Sequence, residues 1–314
     1  MARPLISVIA PVYGCTECLE ALFDAVKVAF YDTDLDWELI LVDDRGPDDP
    51  WPLIQELSAR DPRVRGVRLT RNHGQYLAIW AGFAEARGDW VAVLDCDLQD
   101  DPAVLPKLYE TARERGVEAV VVDRGSWSDS AWRRSASRVF HRLVRLLAGL
   151  EMDNNTGNFG LYSRRMTDIL LSFEDREVFL PTMVLLTGLS RTNYRQDRTS
   201  RVVGKSAYSL RRLIRVAIAV IIRFSDRPLK LSIVVGVAIS TLSALMSLVV
   251  LVAWSMNAFH ESPGWTSLIL SIWFLSGLIL AVLGVHGLYI GRIFSEVRKR
   301  PRILVEQMTK SPPP

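Results

Sequence analysis

The sequence predicts an α/β domain built on a mostly parallel central sheet, followed by an interfacial amphipathic helix and two transmembrane helices. Three observations carry this prediction. Short apolar runs alternate with stretches of helical periodicity over the first 125 residues, two long C-terminal stretches hold no Asp, Glu, Lys or Arg, and the charge balance changes sign where the hydropathy rises.

The alternation opens with LISVIAPV as a strand and a helix over 17–30, then WELILVDD, a helix over 51–60, and VRGVRLT. A helix over 75–86, the strand WVAVLD, a helix over 102–115 and the strand VEAVVVD follow. Strands that alternate with helices read as βαβ units, in which helices cover both faces of a parallel sheet. Binding sites in such sheets lie beyond the carboxyl ends of the strands. Those ends carry Pro11-Val12-Tyr13, Asp43-Asp44, Thr70-Arg71-Asn72, Asp95-Cys96-Asp97 and Asp123, so polar residues gather along one edge. Neither GxGxxG nor GxxxxGK[ST] follows the first strand, and neither a dinucleotide fold nor a P-loop is supported.

Residues 130–150 read as a helix with Val139, Leu143 and Leu147 on one side, and 207–226 repeat the pattern with Leu210, Ile214 and Ile218. Lying just before the first uncharged stretch, the second of these reads as an interfacial helix, with an ordinary domain helix as the alternative. The uncharged stretches run over 231–260 and 262–291, the latter interrupted early by Pro263-Gly264. Each exceeds the roughly 20 apolar residues that a helix needs to cross about 30 Å of hydrocarbon. As buried core helices they would need a large third layer to cover them.

Residues 1–210 carry 26 Lys/Arg against 31 Asp/Glu and residues 211–314 carry 12 against 4, which places the basic excess around the apolar stretches. The connection 255–265 has no Lys or Arg, whereas Arg211, Arg215, Arg223, Arg227 and Lys230 precede the first stretch and Arg292, Arg298, Lys299 and Arg300 follow the second. By the positive-inside rule both flanks are cytoplasmic, the connection is external, and Trp254 and Trp265 are interfacial anchors. The first apolar stretch is too short for a signal peptide. A net charge of +3 gives no reason to expect a nucleic-acid partner. Three cysteines fit a reducing compartment; Cys15-x-x-Cys18 lacks a second pair and Cys96 stands alone, so all three read as small buried or loop residues.

The segment with the strongest chemistry is VAVLDCDLQDDP, residues 91–102, in which an apolar strand ends in Asp95-x-Asp97 followed by Gln99. Oxygen ligands at a strand end suit Mg²⁺ or Mn²⁺, which keep coordination positions open for substrate phosphates. The alternative is an acidic loop that caps the next helix through Asp100 or Asp101 ahead of Pro102.

Together with ISVIAPVYGCTECL, ELILVDDRGPDD, LTRNHGQYLAIWAGF, NTGNFGLYSRR, RVVGKSAYSLRRL and GLYIGRIFSEVRKRPRILV, this segment resembles the family 2 glycosyltransferases of GT-A fold. The likeness is narrower to the polyisoprenyl-phosphate glycosyltransferases, the group that contains dolichol-phosphate mannose synthase and its bacterial undecaprenyl-phosphate relatives. The resemblance implies a GT-A nucleotide-sugar-binding domain. Pro11, Tyr13 and Asp44 would line its nucleoside pocket, and Asp44 would accept a hydrogen bond from the base, although it reads equally as a turn residue. Arg71 and Gly74 would shape the donor site, Asp95 would support the donor, and Asp97 and Gln99 would hold the metal. Arg201, Lys205, Ser206 and Tyr208 would close over the donor and acceptor phosphates.

Two departures stand out. Where the lipid-phosphate members have Asp, this chain has Asn158, and where they have Arg it has Gly160. The NE that usually follows the first-strand PxY is Gly14-Cys15, with Glu17 as a replacement carboxylate. Asn158 falls where the proposed catalytic base would be, and an amide cannot take a proton at neutral pH. The resemblance implies inverting transfer of a sugar from a UDP- or GDP-linked donor to a polyprenyl phosphate at the cytoplasmic membrane face, with Asp97, Asn158 and Arg201 at the centre of the chemistry. Transfer to a saccharide hydroxyl and a catalytically silent nucleotide-sugar-binding protein are the alternatives, and a homo-oligomer is left open. The implied organisation is a cytosolic glycosyltransferase domain over 1–206, a juxtamembrane helix over 207–228, a two-span hairpin over 229–291 and a basic cytosolic tail over 292–314.

Overall fold

The computed structural model describes residues 3–123, 156–175, 178–196, 227–255, 264–298 and 300–309. The helices expected over 130–150 and 207–226, and Arg201, Lys205, Ser206 and Tyr208, lie outside the described residues. The described residues divide into two compact units, a sheet domain that includes 300–309 and a pair of long helices.

In the sheet domain, strands β1 (Leu5–Val12), β2 (Asp36–Asp43), β3 (Val64–Leu69) and β4 (Trp90–Val93) alternate with helices α1 (Leu19–Ala29), α2 (Trp51–Arg60) and α3 (Gln75–Glu85). After α4 (Leu105–Arg115) come β5 (Ala119–Asp123), β6 (Thr156–Ser163), α5 (Arg164–Ser172), α6 (Leu180–Leu186) and β7 (Arg191–Arg195). The eight strands lie in the order β7-β5-β6-β4-β1-β2-β3-β8, where β8 is Val305–Met308. Neighbours β1 to β4 are mutually parallel, while β6 runs antiparallel to β4 and β5. This is the mostly parallel α/β sheet expected.

Burial on both faces explains why the strands read as continuous apolar runs rather than alternating ones. Ile6, Val8, Ala10 and Val12 of β1 pack with α1, α2 and α4, whereas Ile9 faces a second core built with Phe83 of α3 and Met166 of α5. Polar bonds fix α3 at its far end. Arg65 Nη1 donates to the Glu85 carbonyl at 2.6 Å and to Glu38 at 3.3 Å, and Glu38 also accepts from Ser7 Oγ at 2.6 Å. Buried charge of this kind persists where every member is paired.

Strand β8 was not foreseen within the basic tail. It lies antiparallel on the outer edge of β3, with Val67 opposite Met308, and covers an edge that would otherwise be open to other chains. Thr70 N–H donates to the Leu304 carbonyl at 2.9 Å, Thr309 N–H to the Gly66 carbonyl at 3.0 Å, and Arg45 pairs with Glu306.

The other unit holds α7 (Arg227–Ser255, 29 residues) and α8 (Trp265–Val297, 33 residues). At 1.5 Å per residue these helices are about 44 and 50 Å long. In α8 the window Phe274–Gly291 has a mean hydropathy of 1.9 with none of it buried, and it is the one window among the described residues long and apolar enough to cross a membrane. Along α7, Ile233, Val237, Leu245 and Val249 are exposed.

Candidate functional site

The carboxyl ends of β1, β2 and β4 and the start of α3 enclose a pocket of about 430 Å³ lined by Pro11, Tyr13, Gly14, Cys15, Asp44, Asn72, Gly74, Gln75, Asp95, Cys96 and Asp97. Of the donor-site residues expected from the sequence, Pro11, Tyr13, Asp44, Gly74, Asp95 and Asp97 meet there, and Arg71 and Gln99 are not part of the lining. Pro11 is buried and Tyr13 is 56% exposed, so the aromatic ring is available to a ligand.

The loops that form the pocket are held by short-range bonds. Asp48, which the sequence reading passed over, accepts from Gly14 N–H and Thr16 N–H at 2.8 Å each and from Thr16 Oγ1 at 2.6 Å. Burial pushes the Asp48 carboxyl up, but these bonds from Thr16 and Gly14 outweigh it and hold the group below the usual range. Asp44 binds main chain with both oxygens, accepting from His73 N–H at 2.7 Å and Gly74 N–H at 2.9 Å. Burial pushes its carboxyl above the usual value, against the pull of those two N–H groups. The stability that ionised Asp44 costs therefore grows as pH rises through the interval above the ordinary carboxylate value. Buried acids of this kind cluster at functional sites, and Asp44 stands in the pocket wall. It also joins β2 to the start of α3, so the turn role and the pocket role coexist in one side chain.

Backbone strain collects in these loops. Gly14 (φ 67), Arg45 (φ 54), Gly74 (φ 89) and Leu98 (φ 57) occupy the left-handed half of φ space, which non-glycine residues hold only when their surroundings dictate it. Gly74, the residue before α3, combines φ 89 with ψ 153, a conformation that only glycine adopts without strain. The start of α3 borders the pocket at Gly74 and Gln75, where the Gly74 N–H is taken by Asp44 and the Leu77 N–H donates to the Gly74 carbonyl at 3.0 Å.

Asp95 and Asp97 come together at the end of β4. Asp95 Oδ1 accepts from Gln75 Nε2 at 2.6 Å, and Asp97 Oδ2 accepts from Gln99 Nε2 at 2.6 Å. Asp101, not Asp97, caps the following turn by accepting from Ala103 N–H at 2.9 Å. Capping therefore falls to Asp101, and Asp95 and Asp97 remain in the pocket lining. Among the described residues there is no group of three or more His, Cys, Asp or Glu positioned around one point. The donor set is two carboxylates with an amide beside them, which fits a hard cation completed by water and substrate phosphates.

Such a pocket, together with the sheet order, agrees with sequence comparison. A family model for glycosyl transferase family 2 matches residues 7–170. The chain belongs to glycosyltransferase family 2. Curated relatives extend the match over nearly its full length. An undecaprenyl-phosphate 4-deoxy-4-formamido-L-arabinose transferase of Pseudomonas syringae is 32% identical over 98% of this chain and 92% of its own. A protein of the same name from Aeromonas hydrophila is 31% identical over 98% and 94%, and the uncharacterized glycosyltransferase YkcC of Bacillus subtilis is 30% identical over 96% and 93%. Among solved structures, a mannosyltransferase from Pyrobaculum calidifontis covers 95% of this chain and 88% of its own, at 16% identity and a TM-score of 0.49, too distant a likeness to argue from.

Family 2 membership sharpens the interest of β6. This strand runs antiparallel to β4 with Val93 opposite Gly160, so Asn158 lies two residues further towards the edge at which β4 delivers Asp95. Asn158 is half-buried and does not line the pocket. At Gly160, an added Cβ would stand 2.9 Å from the Val120 carbonyl oxygen and 3.0 Å from the Tyr162 hydroxyl. Tyr162 is fully buried and shares a face of β6 with position 160, so its ring fills the space that a side chain there would take. Gly160→Arg should therefore lower stability by at least about 1–3 kcal/mol through overpacking. Thermal unfolding would read the loss, and combining it with Tyr162→Ala should cost less than the sum of the two single changes.

The cysteines differ from expectation at two of three positions. Cys15 and Cys96 are joined as a disulfide, and Cys18 is free. Neighbouring strand ends bring the two together, since β1 and β4 are adjacent while 81 residues separate the cysteines in sequence. Asn72, read from the sequence as part of a polar strand end, lines the pocket, whereas Gln75 escaped that reading although it lies in the same RNHGQ segment.

Proposed function

We propose that the chain transfers a sugar, with inversion, from a nucleoside-diphosphate donor to a polyprenyl phosphate at the cytoplasmic face of a membrane. The observation that carries this reading is the pocket that gathers Tyr13, Asp44, Gly74, Asp95 and Asp97 at the strand ends of a family 2 domain. Relatives named undecaprenyl-phosphate transferases, alike over nearly the whole chain, support the acceptor class.

Pro11, Tyr13 and Asp44 would receive the nucleoside, with the exposed Tyr13 ring beside the base and Asp44 fixing the loop that faces it. Gly74 and Arg71 would place the loop ahead of α3 against the diphosphate. Asp95, Asp97 and Gln99 would hold Mg²⁺ or Mn²⁺, which supplies positive charge to the departing diphosphate. Arg201, Lys205, Ser206 and Tyr208 would meet the acceptor phosphate, with cations ahead of the first membrane stretch where an anionic head group lies. The test is extraction of labelled lipid after incubating the purified protein with undecaprenyl phosphate, Mn²⁺ and a panel of UDP- and GDP-sugars. One donor should label the lipid, and no labelling with any of them would overturn the reading.

The proposed membrane arrangement is a two-span hairpin. Strand β8 follows α8 in the chain, yet it pairs with β3, which precedes α7. Chain segments that share a sheet lie on one side of a membrane, so the crossings between them are even in number. If α8 crosses, α7 is the matching crossing, and the arginine-rich flanks place the sheet domain inside. Tags at the N-terminus and C-terminus should both be accessible only from the cytoplasm, and a cysteine introduced at Asn257 should be labelled from outside. Labelling of all three from one side would remove the hairpin.

A further inference from the structure

We propose that Cys15 and Cys96 form a reversible oxidation site whose state sets how tightly the pocket binds a nucleoside diphosphate with its divalent cation, an inference that rests on the functional reading above. The pair links two pocket walls. Cys15 ends the Tyr13-Gly14-Cys15 loop after β1, and Cys96 is the residue between Asp95 and Asp97, with 6.5 Å between their Cα atoms. Both are nearly buried, at 9% and 7% exposure, and both line the pocket.

The bridge pins the acidic segment at its centre. Asp95 is held by the Gln75 amide, and Asp97 is held by the main-chain and side-chain N–H groups of Gln99. A cation in place of these amides would draw the Asp95 and Asp97 carboxylates together, and the main chain that carries them, with Leu98 at φ 57, would follow. With Cys96 tied to Cys15 the centre of the segment cannot follow; with two thiols it can. Oxidation therefore weakens donor binding and reduction restores it. The exchange balances with a low-molecular-weight disulfide as oxidant. The Cys15 thiol attacks it and releases one thiol, then the Cys96 thiol attacks the mixed disulfide at Cys15 and releases the second. Cys18 is partly exposed, free and outside the pocket lining, which makes it the internal control.

The test uses the full chain in detergent, prepared with a phosphine reductant or with oxidised glutathione. Peptide mass spectrometry after alkylation maps the bond, and calorimetry measures binding of UDP and GDP with Mn²⁺. The oxidised protein should yield a Cys15–Cys96 cross-linked peptide and bind its nucleotide about tenfold more weakly than the reduced protein, within the usual range of coupling between two events in one protein. Cys18→Ser should keep that difference and Cys15→Ser should lose it. Equal affinity in the two states, with the cross-link formed, would overturn the gating, and absence of the cross-link would overturn the site. Binding in neither state would overturn the reading of the pocket itself.

Discussion

Asp97→Ala is expected to abolish sugar transfer and cation-dependent donor binding while leaving the domain folded. The side chain is exposed and its bonds are to Gln99, two residues away, so its removal opens no cavity and strips no core contact. Surface changes of that kind alter stability by about 0.5 kcal/mol or less. The catalytic loss is of another order. A divalent cation on a transferring phosphate contributes several kcal/mol of transition-state stabilisation. At about 1.4 kcal/mol per tenfold, kcat/KM should fall by a hundredfold to a thousandfold or more. Steady-state kinetics, calorimetry of nucleotide binding with Mn²⁺ and a melting curve separate the three effects. EDTA should reproduce the loss reversibly in the wild type, and undiminished turnover in excess EDTA would remove the cation from the account.

How much of this was legible beforehand follows from the range of the forces involved. Strands β1 to β5 and helices α1 to α4 announce themselves through local periodicity, because each buries its own apolar residues against the sheet. The antiparallel β6 and the edge strand β8 do not. The VEQM of β8 is exposed at every position, and what makes it a strand is the ladder to β3, some 240 residues earlier in the chain. The pocket shows the same division. Asp95 and Asp97 were visible because their signal is the end of one strand. Asp48 and the Cys15–Cys96 bond became visible only once the strand order had placed β1 beside both β2 and β4. Gly160 was legible as a departure from the family pattern, but its compensation by Tyr162 depends on which face of β6 each residue occupies.

The second large effect concerns the acceptor. A general base contributes about a hundredfold to ten-thousandfold when a proton must leave the nucleophile. Asn158 cannot act as one, and its position two residues beyond the Val93–Gly160 pair places it at the edge where Asp95 emerges. A lipid monophosphate needs no such help, since by analogy with phosphorylated side chains its second pKa lies near 6 and it is largely dianionic at neutral pH. The neutral amide still offers a hydrogen bond, and it avoids the repulsion that a carboxylate would exert on an incoming anion. Asn158→Asp should therefore change the rate with polyprenyl phosphate by less than about a hundredfold, the low end of general-base contributions. A hydroxyl acceptor should fail with the wild type across pH 6 to 9. The most direct measurement is a competition in one reaction, with polyprenyl phosphate and the matching polyprenol at equal concentration, one labelled nucleotide sugar and Mn²⁺, and the products separated by mass. The account predicts label on the phosphate lipid alone; label on the polyprenol would contradict it.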